Sequence, residues 1–196
     1  MQLLINGQPV DITLEQEKTV GEVLQSFETE AAANGATTVG INLNGTNVPA
    51  ESFENILKEP LTDNTVLDLT VITKTETVDT LKAISAELDA SEKSLSDIAV
   101  LLQSGKEAEA AALITKLATN CDILCHTAAM ASLFPEIYKT ITIEGQHLNE
   151  FFRDFLPVLA DFENAMKDKD SVTVGDLAEY EIAPRLKSVT QALSQI

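Results

Sequence analysis

The chain has 196 residues, of which 31 are acidic and 13 are basic, so its formal net charge at pH 7 is −18. Hydrophobic residues make up 44% of the sequence, as in an ordinary globular protein. A surface this negative repels the phosphates of nucleic acids and of anionic lipids. The composition therefore argues against nucleic acid and membranes as partners. It leaves a basic partner protein, a metal cation or simple solubility as explanations of the charge.

The sequence shows no feature of a membrane or exported protein. No apolar run approaches the roughly 20 residues that a bilayer span requires, and the start, MQLLINGQPVDIT, lacks the basic region and apolar core of a signal peptide. Cys121 and Cys125 are too few for a disulfide scaffold in a chain of this length. We therefore expect a cytoplasmic protein with reduced thiols.

The hydrophobic pattern changes between residues 71 and 77. Before this point short alternating runs are separated by turn residues, and after it apolar residues recur every three or four positions. We predict two domains, residues 1–73 and 78–196, joined by residues 73–76. The first carries 11 acidic and 2 basic side chains, so half of the negative charge lies on about a third of the chain.

Turn chemistry predicts a hairpin and then a helix at the start of the first domain. Asn6-Gly7 favours a tight turn between strands at residues 3–5 and 10–14. Thr19 and Glu22 form the capping box of a helix of about four turns, which Gly35 is placed to end.

Two further strands complete this domain. They are predicted at residues 38–43 and 66–72, with an Asn44-Gly45 turn after the first of them. A short helical turn lies between them, beyond Pro49. In the last strand Leu67, Leu69 and Val71 share one face, and Val66, Asp68 and Thr70 share the other.

The order hairpin, helix, strand, short helical turn, strand resembles the β-grasp, or ubiquitin-like, fold. Leu43-Asn44-Gly45, followed by Val48-Pro49 and residues 61–67, is similar to the segment that enters the last strand of the thiamin-pathway sulfur carriers. Those carriers act through a free C-terminal Gly-Gly, whereas this chain continues past Ile72 and ends Ser194-Gln195-Ile196. The resemblance therefore implies their scaffold and not their chemistry.

Residues 78–196 have the spacing of helices and no motif of a named family. A first helix is predicted over residues 78–105, with Ser91 as the one polar position of its apolar stripe, and a second from residue 106 to about residue 133. The third either includes Ile141 or starts after Gly145.

Two prolines should interrupt the last two helices. Pro157 predicts a kink or break in the third helix, and Pro184 an interruption of the fourth, because proline cannot donate to the preceding turn. Four apolar-striped helices with short joints predict an antiparallel four-helix bundle. The expected fold class is therefore α+β, a β-grasp-like domain followed by an all-α bundle.

Cys121 and Cys125 are the first candidates for chemistry. They lie four residues apart on one predicted helix face, while His126 points about 100° away from Cys125. The alternative functional hypothesis is a metal- or redox-dependent helical protein that uses Cys121, Cys125 and His147. The same spacing places both cysteines on the apolar stripe facing the bundle core, so we favour packing and predict no metal or cofactor.

Glu144 and His147 match Glu-x-x-His, a ligand pair that di-iron bundles repeat on two helices. The residue three before the other histidine, His126, is Ile123, which has no ligand atom, so a second copy cannot be built. We interpret Glu144 as a glutamate at a helix start, beside Gly145.

Asp176 and Glu179 share a face of the fourth predicted helix, a spacing that permits paired acid–base catalysis. The helix dipole explains carboxylates in the first half of a helix more simply. A hydrolase would require a pocket lined by both residues.

No phosphate-binding loop, Gly-x-Ser-x-Gly elbow, His-Glu-x-x-His or EF-hand loop occurs in the sequence. We therefore predict a non-enzymatic acidic interaction protein of adaptor or chaperone type, with no catalytic or cofactor-binding residues. Its composition is similar to that of bacterial secretion and flagellar export chaperones. The expected partner is a protein that is basic or offers an amphipathic helix, and that binds a sheet face, an open sheet edge or a helix groove.

Overall fold

The computed structural model describes residues 1–196. The chain folds into two compact units, Met1–Glu76 and Thr77–Ile196. The first unit contains a five-stranded mixed sheet, and the second is helical apart from one small hairpin. The predicted α+β class is confirmed. None of the helices combines the length and the apolar character that crossing a bilayer requires.

The first unit is a mixed sheet with one long helix. Its elements are β1 (Gln2–Ile5), β2 (Gln8–Val10), α1 (Val20–Ala33), β3 (Ala36–Leu43), β4 (Thr46–Asn47), α2 (Phe53–Ile56) and β5 (Val66–Thr73). The strands lie in the order β2-β1-β5-β3-β4, and all neighbours are antiparallel except β1 and β5, which are parallel. Leu67 and Leu69 are fully buried, so the face that they share with Val71 is the inner face of the last strand.

The two predicted Asn-Gly turns are present. Asn6 and Gly7 have φ of 51° and 77°, and Asn44 and Gly45 have φ of 52° and 83°. Positive φ at both central residues is the type I′ conformation, whose twist matches that of the strands it joins.

The predicted return strand at residues 10–14 is wrong, because β2 covers Gln8–Val10 instead. A two-residue turn makes Ile5 pair directly with Gln8, so the return strand must start immediately after Gly7. Residues 11–14 lie beyond this pairing and form no strand.

The capping box of α1 is confirmed. The hydroxyl of Thr19 accepts a hydrogen bond from the N–H of Glu22 at 3.3 Å, and the Glu22 carboxylate accepts one from the N–H of Thr19 at 3.1 Å. Gly21 is required next to this cap, since a Cβ there would lie 2.6 Å from the carbonyl oxygen of Leu57. Gly35 follows the helix with φ of 66° and ends it as predicted.

The second unit is built from long helices whose apolar stripes face inward. Its elements are α3 (Lys74–Gln103), α4 (Glu107–Ala131), α5 (Pro135–Tyr138), β6 (Thr142–Ile143), β7 (Gln146–His147), α6 (Leu148–Lys167), α7 (Ser171–Asp176), a π-helical segment (Leu177–Ile182) and α8 (Ala183–Leu193). Gly105, with φ of 73°, separates α3 from α4 as predicted. The third predicted helix begins after Gly145, which was one of its two predicted starts.

The two prolines act differently from each other. The predicted break at Pro157 is wrong, because α6 continues through this residue, and the alternative, a kink, stays a prediction. Pro157 and Arg153 are both exposed, so water can solvate the carbonyl that loses its partner. At Pro184 the interruption is confirmed as the π-helical segment directly before α8, a wider turn that accommodates the missing N–H.

Candidate functional site

One edge of the sheet in the first unit is open. β3 pairs with β5 along its whole length, whereas β4 pairs only with Asn42 and Leu43. The N–H of Val48 donates to the carbonyl of Ile41 at 2.9 Å, which extends this cover by one residue. Residues 36–40 of β3, the open edge, therefore have a neighbouring strand on one side only.

A β-bulge lies within the open edge. The pairing register with β5 shifts between Thr38 and Gly40, so Val39 is the extra residue, and its side chain is 38% exposed. At Gly40 a Cβ would lie 3.2 Å from the Thr70 hydroxyl oxygen, so the two strands approach closely here. The bulge directs an apolar side chain outward where the strand has no outer neighbour.

An apolar groove of about 380 Å³ runs along the open edge. We call it the edge groove. α1, β3 and the segment after β4 form its walls, and Phe53, which is 39% exposed, lines it. The other apolar residues of the lining are Leu24, Val39, Ile41, Val48 and Ala50.

Two polar groups stand in the edge groove. The carboxylate of Glu28 accepts hydrogen bonds from the N–H of Thr38 at 3.0 Å and from the hydroxyl of Thr37 at 3.4 Å. The hydroxyl oxygen of Thr38 is buried and has no hydrogen-bond partner. A buried polar atom without a partner is rare in native proteins, because its desolvation is not compensated by a hydrogen bond.

The opposite edge of the sheet, formed by β2, is protected. Ile5 pairs with Gln8 across the tight turn, and Leu4 pairs with Pro9. In an antiparallel ladder hydrogen-bonded and non-hydrogen-bonded pairs alternate, so the backbone groups of Pro9 point away from β1. Proline has no N–H, so this edge lacks the donor that an added strand would use.

The first unit surrounds its open edge with negative charge. Residues 1–76 carry 12 acidic and 3 basic side chains. Glu22 and Glu28 lie on the face of α1 that borders Phe53. A ligand of the edge groove therefore enters a field that favours cations.

A second groove, the helix groove, lies between α4 and α6 and has a volume of about 400 Å³. Leu117, Cys121 and Phe162 in its lining are buried, and Leu156 is 51% exposed. Its remaining lining residues are Ile114, Ala118, Asp122, Cys125, Leu159, Ala160 and Glu163.

Both cysteines are free thiols in this groove. Burial, with a smaller effect from Cys125, raises the pKa of Cys121 to about 12. Burial, followed by the charge of Asp122, also raises the pKa of Cys125. At neutral pH both thiols are protonated, and a protonated thiol is a weak nucleophile and a weak metal ligand.

The two thiols and His147 are not brought together. The His147 ring stacks on Tyr138, with ring centroids 6.0 Å apart and planes 13° from parallel, and His126 is exposed. No group of three or more His, Cys, Asp and Glu side chains is placed to hold a metal ion. The alternative based on Cys121, Cys125 and His147 therefore lacks an assembled ligand set.

The interpretation of Glu144 as a helix-start residue is wrong. Glu144 and Gly145, with φ of 53° and 81°, form the turn of the β6–β7 hairpin, and Glu144 accepts a hydrogen bond from the Ser188 hydroxyl at 2.6 Å. Asn is common in this left-handed conformation and Glu is not. A turn at Glu144-Gly145 was therefore not predicted from the sequence. The alternation of Ile141 and Ile143 before Gly145 was the signal that could have revealed it.

Asp176 and Glu179 are both exposed to solvent. Asp176 ends α7 and Glu179 lies in the π-helical segment, where the neighbouring Glu181 pairs with Arg185 at 2.5 Å. The structure gives these acids no sequestered pocket of the kind that a paired acid–base mechanism requires.

Sequence reasoning missed the residues of the edge groove, Glu28, Thr38 and Val39 among them. Their grouping depends on β4 ending after two residues and on α1 crossing beside β3. Only Pro49, close behind the Asn44-Gly45 turn, indicated that β4 would be short.

Comparison with known families gives two adjoining matches. The TP0873 N-terminal domain matches residues 1–73, and a domain of unknown function, DUF8042, matches residues 79–192, more than half of the chain. The chain belongs to the DUF8042 family. The gap between the two matches contains the division between the two compact units.

A protein of Treponema pallidum (strain Nichols), described as an uncharacterized protein, is 30% identical over 193 residues. The similarity covers 98% of this chain and 96% of that protein, so it includes both units. No solved structure matches the chain.

Proposed function

We propose that this chain is a non-enzymatic, acidic interaction protein of adaptor or chaperone type, which binds an extended segment of a basic partner protein at its open edge. The observation that carries the proposal is the coincidence of an uncovered strand, residues 36–40, with the apolar edge groove beside it. Uncovered strands are normally short, charged or interrupted by proline, since they invite pairing with another chain. Here proline protects the β2 edge, whereas the open edge has only its bulge and the Glu28 carboxylate.

The proposal includes the finer architecture of both units. The strand order β2-β1-β5-β3-β4, with β1 parallel to β5, supports a β-grasp scaffold for the first unit. In the second unit, the Asn120 side chain bonds the Ser91 hydroxyl at 3.1 Å and links α4 to α3, which supports a helical bundle. Two free thiols are consistent with a cytoplasmic location.

Strand addition uses the groups that the open edge leaves available. An added strand bonds to the outward N–H and C=O groups of β3, and its alternate side chains enter the groove beside Val39 and Phe53. Five residues of β3 span about 17 Å, enough for a short segment. A carbonyl of the partner would replace the Glu28 carboxylate at the Thr38 N–H.

Charge supports a basic segment as the occupant. Glu28 lies in the groove, and the first unit has a fourfold excess of acidic over basic side chains. A lysine or arginine on the added strand would pair with Glu28 once this carboxylate leaves Thr38. The same field repels nucleic acid and anionic lipid, so neither belongs to the proposal.

Peptide binding tests the proposed function. The probe is a fluorescent ten-residue peptide that alternates Val and Lys, compared with a Val and Glu peptide and with a Val and Lys peptide interrupted by proline. We expect the first to bind and the other two to bind at least about tenfold more weakly, a difference of 1.4 kcal/mol. Affinity should fall as salt rises, because surface charge interactions are screened.

Two matched variants locate the binding. Val39→Lys places a repelling cation at the open edge, and Val10→Lys places one on the β2 edge, where the exposed fraction of the side chain is nearly the same, 37% against 38%. Only the first should weaken binding of the Val and Lys peptide. Equal loss in both variants, or equal binding of all three peptides, would contradict the proposal.

A further inference from the structure

The second unit has its own apolar surface, separate from the open edge. In the helix groove the Leu156 side chain is 51% exposed to solvent. Leu117 and Phe162, which form the floor of the groove, are buried. Its volume of about 400 Å³ lies in the range of ligand sites. The lining is apolar except for Asp122 and Glu163.

The shape of the helix groove suits a helix. On α4 its lining runs from Ile114 to Cys125, which corresponds to about 16 Å at 1.5 Å per residue, or three turns. α6 forms the opposite wall from Leu156 to Glu163. A helix with apolar side chains three and four residues apart presents a stripe of this length and pattern.

Charge selects the kind of helix. Glu163 already pairs with Lys167 at 2.6 Å, whereas Asp122 takes part in none of the salt bridges of the unit. Residues 77–196 carry 19 acidic and 10 basic side chains. A basic residue beside the apolar stripe of the occupant would therefore find an unpaired carboxylate within a negative field.

We infer that the helix groove is a second docking site, which binds an amphipathic helix of a partner protein with Leu-like side chains along one face and a lysine or arginine placed to pair with Asp122. This site does not depend on strand addition at the open edge. Cys121 and Cys125 serve in it as small apolar lining groups.

The two thiols make occupancy of the helix groove measurable. They are the only cysteines of the chain, and both line the groove. The experiment measures the rate at which N-ethylmaleimide alkylates Cys125 in the full chain, read by mass spectrometry of the digested protein. The probe is a helical peptide about four turns long, with Leu three and four residues apart and Lys at the flanks.

We expect the peptide, at about ten times its dissociation constant, to slow alkylation of Cys125 about tenfold. A scrambled peptide of equal composition should give no protection, and a version with Glu in place of Lys should give much less. Equal protection by the scrambled peptide would overturn the proposal. So would protection by a fatty acid or detergent monomer with none by any of the peptides.

Variants with matched exposure localise the effect. Leu156→Glu should abolish the protection, whereas Leu133→Glu, at a side chain that is 48% exposed and does not line the groove, should leave it intact. Asp122→Asn should weaken binding of the Lys peptide, and Asp161→Asn, an exposed acid of α6 outside the lining, should not. Full protection in Leu156→Glu would overturn the proposal, and equal affinity in the two Asp variants would overturn the pairing with Asp122.

Discussion

The Glu28 carboxylate on α1 accepts a hydrogen bond from the backbone N–H of Thr38 on β3, with the oxygen and nitrogen 3.0 Å apart. The negatively charged carboxylate therefore occupies the Thr38 N–H, a hydrogen-bond donor of the open edge. A charged side chain at an edge strand is a common protection against pairing between copies of the same chain. In this protein the same charge also favours a basic partner, so the open edge selects its ligand.

Removing Glu28 should make the chain associate with itself. Glu28→Ala frees the Thr38 N–H and removes a repelling charge from the open edge, so two copies can pair there. We expect a dimer by sedimentation velocity at concentrations where the wild type is monomeric. Glu30→Ala removes an exposed charge from the same helix and should stay monomeric. Identical behaviour of both variants would contradict the role given to Glu28.

Raising the pH should destabilise the helical unit through Cys121. Burial raises the pKa of this thiol from its ordinary value of 9.0 to about 12, so the folded state retains a proton that the unfolded chain loses. The free energy of unfolding should therefore decrease as pH rises from about 9 to 12. Denaturant titrations across this range measure the slope.

The matched variant removes the thiol itself. Cys121→Ala should lower the free energy of unfolding at pH 7, because it leaves a cavity, and should flatten its decrease above pH 9. Cys125→Ala should keep most of the slope, since Cys125 is less buried. The same slope in wild type and Cys121→Ala would assign the pH dependence to other groups.

Removing one member of the buried pair Ser91 and Asn120 should lower the free energy of unfolding more than replacing both members. The Ser91 hydroxyl donates to the Glu87 carbonyl at 2.9 Å and accepts from the Asn120 amide at 3.1 Å. Ser91→Ala leaves the Asn120 amide buried with only a 3.5 Å contact to the Glu87 carbonyl, and should cost about 1–3 kcal/mol.

Replacing both members of the pair should restore much of the loss. The double variant Ser91→Ala with Asn120→Leu removes the unsatisfied amide together with its former partner. Urea unfolding of both single variants and of the double variant gives their coupling energy, which we expect to be about 1 kcal/mol. Strictly additive effects would show that the hydrogen bond between the helices contributes nothing measurable.

Thr19→Ala should lower the free energy of unfolding of the first unit by about 1 kcal/mol, because the N–H of Glu22 loses its acceptor. Thr19→Ser keeps the hydroxyl and should be near wild type. Thermal unfolding followed by circular dichroism compares the two. If Thr19→Ala and Thr19→Ser lowered the free energy of unfolding equally, the decrease would come from the missing methyl group and not from the lost cap.

Several turns, caps and helix ends that depend on neighbouring residues in the sequence were predicted correctly. The Asn6-Gly7 turn, the Thr19 cap and the Gly105 stop follow from the conformations that these residues favour, and the structure has all three. The polar position at Ser91 was visible in the helical stripe. Its partner Asn120 was not, because their contact joins residues 29 apart in the chain.

The candidate sites could not be predicted because they depend on tertiary placement. The open edge exists because β4 pairs with only two residues of β3, and no residue in the strand itself indicates this. The two thiols share a helix face as expected, but the opposite wall of their groove comes from α6. His147 matched a ligand motif in sequence, whereas its position at the end of a hairpin gives it Tyr138 as a neighbour.

Residue-resolved amide hydrogen exchange with the Val and Lys peptide bound tests the central claim most directly. If a basic segment adds a strand to β3, exchange should slow at the outward amides of residues 36–40, while Gln8–Val10 stay unchanged. Saturating binding that leaves the exchange of residues 36–40 unaltered would contradict the account.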